Sequence, residues 1–325
     1  MNDVVDDLKA SEEAKAISWK LRTAALPERA RVPARWVGHD GREHGGAREV
    51  RLPAGAAEFN LLPDVREPAI ALFRELGIPW HCGVSNGPGN HLLSSQVQCV
   101  NALGRMVADP SRIIRAFGSL LDTADVLEIE PGRHLTFEFI GDDDLLGEAV
   151  HGVRTRGAPC TSVDAAFLHR TTSGSTELVL VEWKYTETYS PHEPEPAKNA
   201  ERRRRYEHLL MAPDSPVDGS ALPFDHFLDE PLYQLMRQQL LAYELEKRHA
   251  VGADVVRVVH VQPLHHAAYQ QSLRRPAQLA LGTTVDEIWS RLLRRPNRFT
   301  IMDASTFLDP AITSDEYVSR CGGER

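Results

Sequence analysis

The sequence predicts an α/β fold in which a mixed central sheet is flanked by helices. Three observations carry this expectation. From about residue 94 the chain reads helix, three strands, helix, strand. Residues 178–181, Leu-Val-Leu-Val, are β-rich and continuous enough for a buried strand. The strong helical segment Leu232–Arg248 lies between that strand and the β-branched run Asp254–Val261, where a crossover would return the chain to the sheet. A chain of 325 residues holds one large domain or two small ones. Residues 1–90 read as an N-terminal, mainly helical and irregular extension packing on the core. Residues 91–325 read as the main domain, with a long insertion at 190–230.

The elements follow in order. Residues 2–22 predict a helix, with Leu8, Ala14, Ile17 and Leu21 near helical spacing. Residues 24–65 are rich in Pro, Gly and Arg and carry little periodicity, apart from a short strand expected at Glu49–Pro53. Pro68–Leu76 predicts a second helix, and His81–His91 a turn-dense loop. Ser94 or Ser95 caps a helix running to about Met106. Asp109-Pro110 opens another to about Asp122, since proline suits the first helical turn. His134–Ile140 alternates as a strand, and Asp142-Asp143-Asp144 is a polar break. Ser162–His169 and Glu177–Tyr185 form a hairpin through the polar link Thr171–Thr176. The insertion is partly helical around Asn199–Leu210, and Pro276–Leu293 closes with a helix capped near Thr284.

Composition is that of an ordinary globular protein, and no apolar stretch approaches a membrane span. The acidic start, Met1 to Asp7, has no signal-peptide core, so a cytoplasmic location is expected. Cys82, Cys99, Cys160 and Cys321 are scattered, which argues against a disulfide framework and a structural zinc. His81, Cys82 and His91 suit no zinc spacing. The net charge of −9 counts against coating duplex DNA non-specifically, yet local basic patches remain candidates. Arg274-Arg275 and Arg294-Arg295 read as solvated helix faces. The run Arg202 to Arg205 reads equally as a solvated face or as a phosphate-binding patch, with Tyr206 a base-stacking candidate beside it.

The chemistry concentrates on the hairpin. Side chains alternate along a strand, so Glu182 and Lys184 point the same way, roughly 6–7 Å apart, and Trp183 points to the opposite face. Asp164 breaks an otherwise apolar run on the neighbouring strand, where a lone buried carboxylate is costly without a partner. Two acids can hold a hard cation through oxygen, and a lysine can orient water or steady developing negative charge.

At Ser162-Val163-Asp164 and Glu182-Trp183-Lys184 the chain resembles the PD-(D/E)XK nuclease superfamily. The surrounding residues, from Arg156 to Ala166 and from Glu182 to Glu187, look like an uncharacterised bacterial branch of it. Val163 stands where the family has proline. The resemblance covers roughly residues 90–265. It implies a restriction-endonuclease-like αβββαβ core and a Mg2+- or Mn2+-dependent nuclease. Such an enzyme would hydrolyse phosphodiester bonds, most readily in DNA, in phage defence, restriction or repair; a homodimer suits cutting both strands. Asp164 and Glu182 would be metal ligands, the Trp183 carbonyl would complete the coordination, and Lys184 would assist. Glu148, or else Glu138, would be the further acid that many members use. Gln239 and Tyr243 look like the Q-x-x-x-Y motif of exonuclease-type domains of recombination helicases, with Gln234 and Gln238 as a rival register. Gln96 and Asn101 are candidates to line the site. The alternative is a catalytically degenerate nuclease fold that binds nucleic acid or protein.

Overall fold

The computed structural model describes residues 7–38, 40–157, 160–189 and 195–323. The expected helical residues 2–6, and residues 190–194 of the insertion, lie outside the described residues. The N-terminal part comprises α1 (Asp7–Arg22), the hairpin of β1 (Ala34–Val37) and β2 (Glu43–Arg48), α2 (Pro63–Glu75), and the small hairpin of β3 (Gly83–Val84) and β4 (Gly87–Gly89). Next come α3 (Ser95–Leu103) and α4 (Pro110–Leu121), then β5 (Thr123–Leu127), β6 (Leu135–Phe139), β7 (Val163–Thr171) and β8 (Thr176–Trp183). The remainder is α5 (Pro196–Leu210), α6 (Leu232–Lys247), β9 (Val255–Gln262), α7 (Ala267–Gln270), α8 (Pro276–Leu279), α9 (Val285–Leu292), β10 (Phe299–Asp303) and α10 (Asp315–Cys321).

The sheet is mixed. Its order is β10-β9-β8-β7, with β8, β9 and β10 parallel and β7 antiparallel to β8. The far edge of β7 is shared: β6 pairs antiparallel with its first half and β5 with its second. One hydrophobic core covers the face of Ala165, Phe167, Val179, Val181 and Trp183, and is built from α1, α2, α3, α4 and α10. A second covers the face of Ala166, Leu168, Leu178 and Leu180, under α5, α6 and α9. Burial on both faces is why β8 reads as a continuous apolar run rather than an alternating one. No helix among the described residues is long and apolar enough to cross a membrane.

Several elements differ from expectation for physical reasons. The strand expected at Glu49–Pro53 is reduced to a single bridge between Arg51 and His91. The carbonyls of Glu49 and Arg51 instead accept from the buried Lys20 ammonium (2.8 and 2.7 Å), which also binds the Val32 carbonyl (2.8 Å). α2 begins five residues early, because Pro63 takes the first-turn position and Pro68 is carried inside the helix. The closing helix is broken into α8 and α9, the latter capped by Thr284, which accepts from the Glu287 N–H. The caps at Ser94 and Asp109 form as expected. β5 and β10, short and mostly half-buried or exposed, carry no pattern that marks them as strands.

Candidate active site

The hairpin β7–β8 sets the site. Ala165 pairs with Val181, so Asp164 and Glu182 stand one step beyond that pair, side by side on the α6 face. On the other edge of β7, Phe137 pairs with Ala165 and Phe139 with Val163, which sets Glu138 opposite Asp164. Three carboxylates from three adjacent strands therefore stand in one row. Glu138 has a left-handed backbone (φ 48°) inside a strand, a strained conformation of the kind that concentrates at functional sites. Its carboxylate accepts from Gln96 Nε2 (2.9 Å) and Ser162 Oγ (2.6 Å). Gly157, at φ 73°, closes over it: a β-carbon there would lie 3.4 Å from the Glu138 carboxylate.

Glu182 is 2% exposed and its carboxylate accepts from three donors. Lys184 Nζ and Gln234 Nε2 donate to Oε1 (both 2.7 Å), and Gln238 Nε2 donates to Oε2. Lys184 also donates to Gln234 Oε1 (2.5 Å). The Trp183 N–H donates to Asp164 Oδ2 (2.7 Å), and the Trp183 carbonyl accepts from Ser95 Oγ (3.2 Å) at the start of α3. The Trp183 indole points to the other face, bonds Gln98 (2.6 Å) and packs edge-on against Phe307.

The electrostatics follow from crowding. Burial, then the neighbouring charges of Glu182 and Glu138, push the Asp164 carboxyl well above the usual range. Burial also raises Glu138, against the pull of its hydrogen bonds from Ser162 and Gln96. For Lys184 burial acts downward, but the neighbouring charges of Glu182, Tyr189, Glu187 and Asp164 together outweigh it and hold the ammonium well above its ordinary pKa. These groups floor a cleft of about 730 Å3, whose other wall includes Trp36, Arg51, Trp80, His81 and His91 from the N-terminal part. Burial, then nearby Arg51, lowers His91 to about 4, so it is neutral at physiological pH.

Asp164, Glu182 and Lys184 meet in this cleft, and Gln96 lines it. Gln239 and Tyr243 do not reach the acids: Gln239 is buried elsewhere on α6, and the Tyr243 hydroxyl donates to Asp214 (2.7 Å). The rival pair Gln234 and Gln238 takes that place. Glu148 is buried away from the row, accepting from the Thr161 N–H, Thr161 Oγ1 and the Tyr206 hydroxyl (2.6, 2.6 and 2.5 Å). Glu138 stands in the row instead. Tyr206 is thereby 2% exposed, with no face free for a base. Arg202 stacks on Tyr233, and Arg203 pairs with Glu207 and Asp225, beside a separate cleft of about 680 Å3. Arg204 and Arg205 both pair with Glu201. Asn101 is a buried strut, accepting from Leu62 N–H and donating to the Asn60 carbonyl. Arg237, one helical turn from Gln234, also lines the cleft; an arginine on a helix buried on most sides gives no sequence signal for that role.

The acids of the cleft, Glu138, Asp164, Glu182 and Glu187, offer oxygens, the kind of ligand that hard dications take, around the Lys184 ammonium. Among the described residues no three His, Cys, Asp or Glu side chains meet closely enough to hold an ion by themselves.

Fold and cleft together define a mixed α/β protein with helices on both faces of its sheet, compatible with a restriction-endonuclease-like fold. The model of the family REase-ARP, restriction endonuclease associating with ARP, matches residues 23–319. The chain belongs to that family, whose description points to a nuclease role. No curated protein matches it, and no solved structure does.

Proposed function

We propose that the chain is a metal-dependent nuclease of the PD-(D/E)XK type, hydrolysing phosphodiester bonds in DNA. In this reading α4, β6, β7, β8, α6 and β9 form the αβββαβ core, and the site is Asp164, Glu182 and Lys184. The observation that carries it is the convergence of Asp164, Glu182 and Lys184 from a hairpin onto one cleft. Magnesium or manganese would be held by Asp164, Glu182 and the Trp183 carbonyl, leaving sites for water, as magnesium prefers. Bound there, it would lower the pKa of water and offset phosphate charge. Gln234 and Gln238 fix the Glu182 carboxylate, and Lys184 uses two of its three donors on Glu182 and Gln234. The third is left for an anionic phosphate or a water. Glu138, held by Ser162 and Gln96, is the further acid in place of Glu148. Phage defence or repair fits such an enzyme by analogy of fold alone.

The test is cleavage of linear, nicked and single-stranded DNA by the purified protein. Cutting with Mg2+ or Mn2+, absent in chelator and lost in Lys184→Ala, supports the reading; no cutting under any of these conditions ends it. A second reading, a degenerate nuclease fold that only binds, is favoured by the three donors that already occupy Glu182. It predicts nucleic-acid binding that Asp164→Ala leaves intact and no heat of Mn2+ binding in calorimetry.

A further inference from the structure

The wall facing the acids comes from a different part of the chain. Trp36, on the β1–β2 hairpin, is 38% exposed and lines the cleft. Trp80 and His81 stand on the same wall. Arg51 is half-buried there, and its guanidinium makes no hydrogen bond or ion pair among the described residues. Across the cleft, Arg237 bonds only Thr161 Oγ1 (3.2 Å) through Nη1 and stacks on Tyr233, while its Nε is buried without a partner. Two guanidinium groups without carboxylate hydrogen bonds, an exposed indole and a row of acids thus line one space.

The acids lie deep. About 730 Å3 is the scale of a small-ligand site, room within the cleft for a nucleotide or two. Glu182 is 2% exposed, so a phosphodiester must descend into the cleft to meet it. A duplex holds both backbones on its outside, stiff and densely charged, against a chain of net charge −9. A single strand bends in, and its bases find aromatic faces while its phosphates find arginine.

We propose that the cleft takes one strand of nucleic acid, a base stacking on Trp36 and flanking phosphates meeting Arg51 and Arg237. This rests on the nuclease reading of the same cleft and makes residues 1–90 the substrate-binding wall of the site. The N-terminal hairpin then selects single strands, frayed ends or extruded nucleotides over intact duplex.

The experiment measures fluorescence anisotropy of a labelled oligothymidylate and of a duplex of equal length, in chelator, for the wild type, Trp36→Ala and Arg51→Ala. The expected result is single-strand binding at least about tenfold tighter than duplex, weakened about tenfold by either substitution. Equal or tighter duplex binding overturns the proposal, as does unchanged single-strand binding in both variants. Should a variant fold poorly, acrylamide quenching of the wild type decides the same question. Trp19, Trp183 and Trp289 are each 1% exposed, so quenching reports Trp36 and Trp80. Protection by oligothymidylate supports the proposal, and its absence at saturating strand overturns it. Failure of the nuclease reading looks different: tight single-strand binding with no cleavage by Mg2+ or Mn2+.

Discussion

Asp164 stands between two other carboxylates, and its raised pKa has a definite thermodynamic sign. Burial and the charges of Glu182 and Glu138 raise it in the folded chain. An acid whose folded pKa exceeds the unfolded value binds its proton more tightly when folded. The ionised group therefore costs stability, and the cost grows as pH rises from the unfolded pKa, about 4, through the folded one. Asp164→Asn, which keeps an acceptor for the Trp183 N–H, is expected to melt higher than the wild type at neutral pH in chelator. That advantage should vanish below pH ~4, as calorimetry across pH would show, while cleavage is lost. A variant that melts lower than the wild type at neutral pH contradicts the picture of crowded acids. Lys184→Ala has the opposite sign. It strands Glu182 as an unpaired buried charge, with side chains 6% and 3% exposed before the change. The loss is expected to be about 3–5 kcal/mol by denaturant titration. Lys184→Met, which keeps the volume, would strand the same charge and lose about as much.

At the scale of elements, α6 brings the site's polar partners. Gln234 and Gln238 are four residues apart and both donate to Glu182. Gln238→Ala is expected to cut turnover on the order of 10–100-fold, as loss of a group that orients a metal ligand does, with Gln239→Ala costing less. Steady-state cleavage rates decide between them. Sequence patterning stops short at this helix. The pairs 234/238 and 239/243 have the same spacing, and about 100° per residue separates their faces. α6 is buried on most sides, Gln238 and Gln239 alike, so no polar stripe tells which face meets the acids. The hairpin was legible for the opposite reason. Two apolar runs joined by a short polar turn, with Asp164 near the start of one and Glu182 at the end of the other, set the two acids side by side. Glu138 was harder to place than Glu148, because its position depends on register across β6 and β7 and on a left-handed residue that sequence does not announce. The paired state of Arg203, Arg204 and Arg205 likewise depends on Glu201 and Glu207 within α5 and on Asp225 folding back onto it.

Across the whole molecule, two buried cations hold an irregular N-terminal stretch as one wall of the cleft. Lys20 binds the carbonyls of Val32, Glu49 and Arg51. Arg320, on α10, binds Asn60 and the Leu92 carbonyl (2.7 Å each). Periodicity could not reveal this, since the segment is ordered by side chains reaching from 29 and 260 residues away rather than by strands. Lys20→Met leaves three carbonyls without a donor and is expected to cost on the order of 3 kcal/mol or more, seen in denaturant titration. It should also weaken substrate binding more than turnover, because Arg51 is among the residues it releases. The acid row is expected to hold a cation. A crystal soaked in Mn2+ and measured for anomalous scattering addresses it most directly. A peak bounded by Asp164 and Glu182 in the wild type, gone in Asp164→Asn, is the predicted result; a wild-type cleft with no peak there at saturating Mn2+ would contradict it.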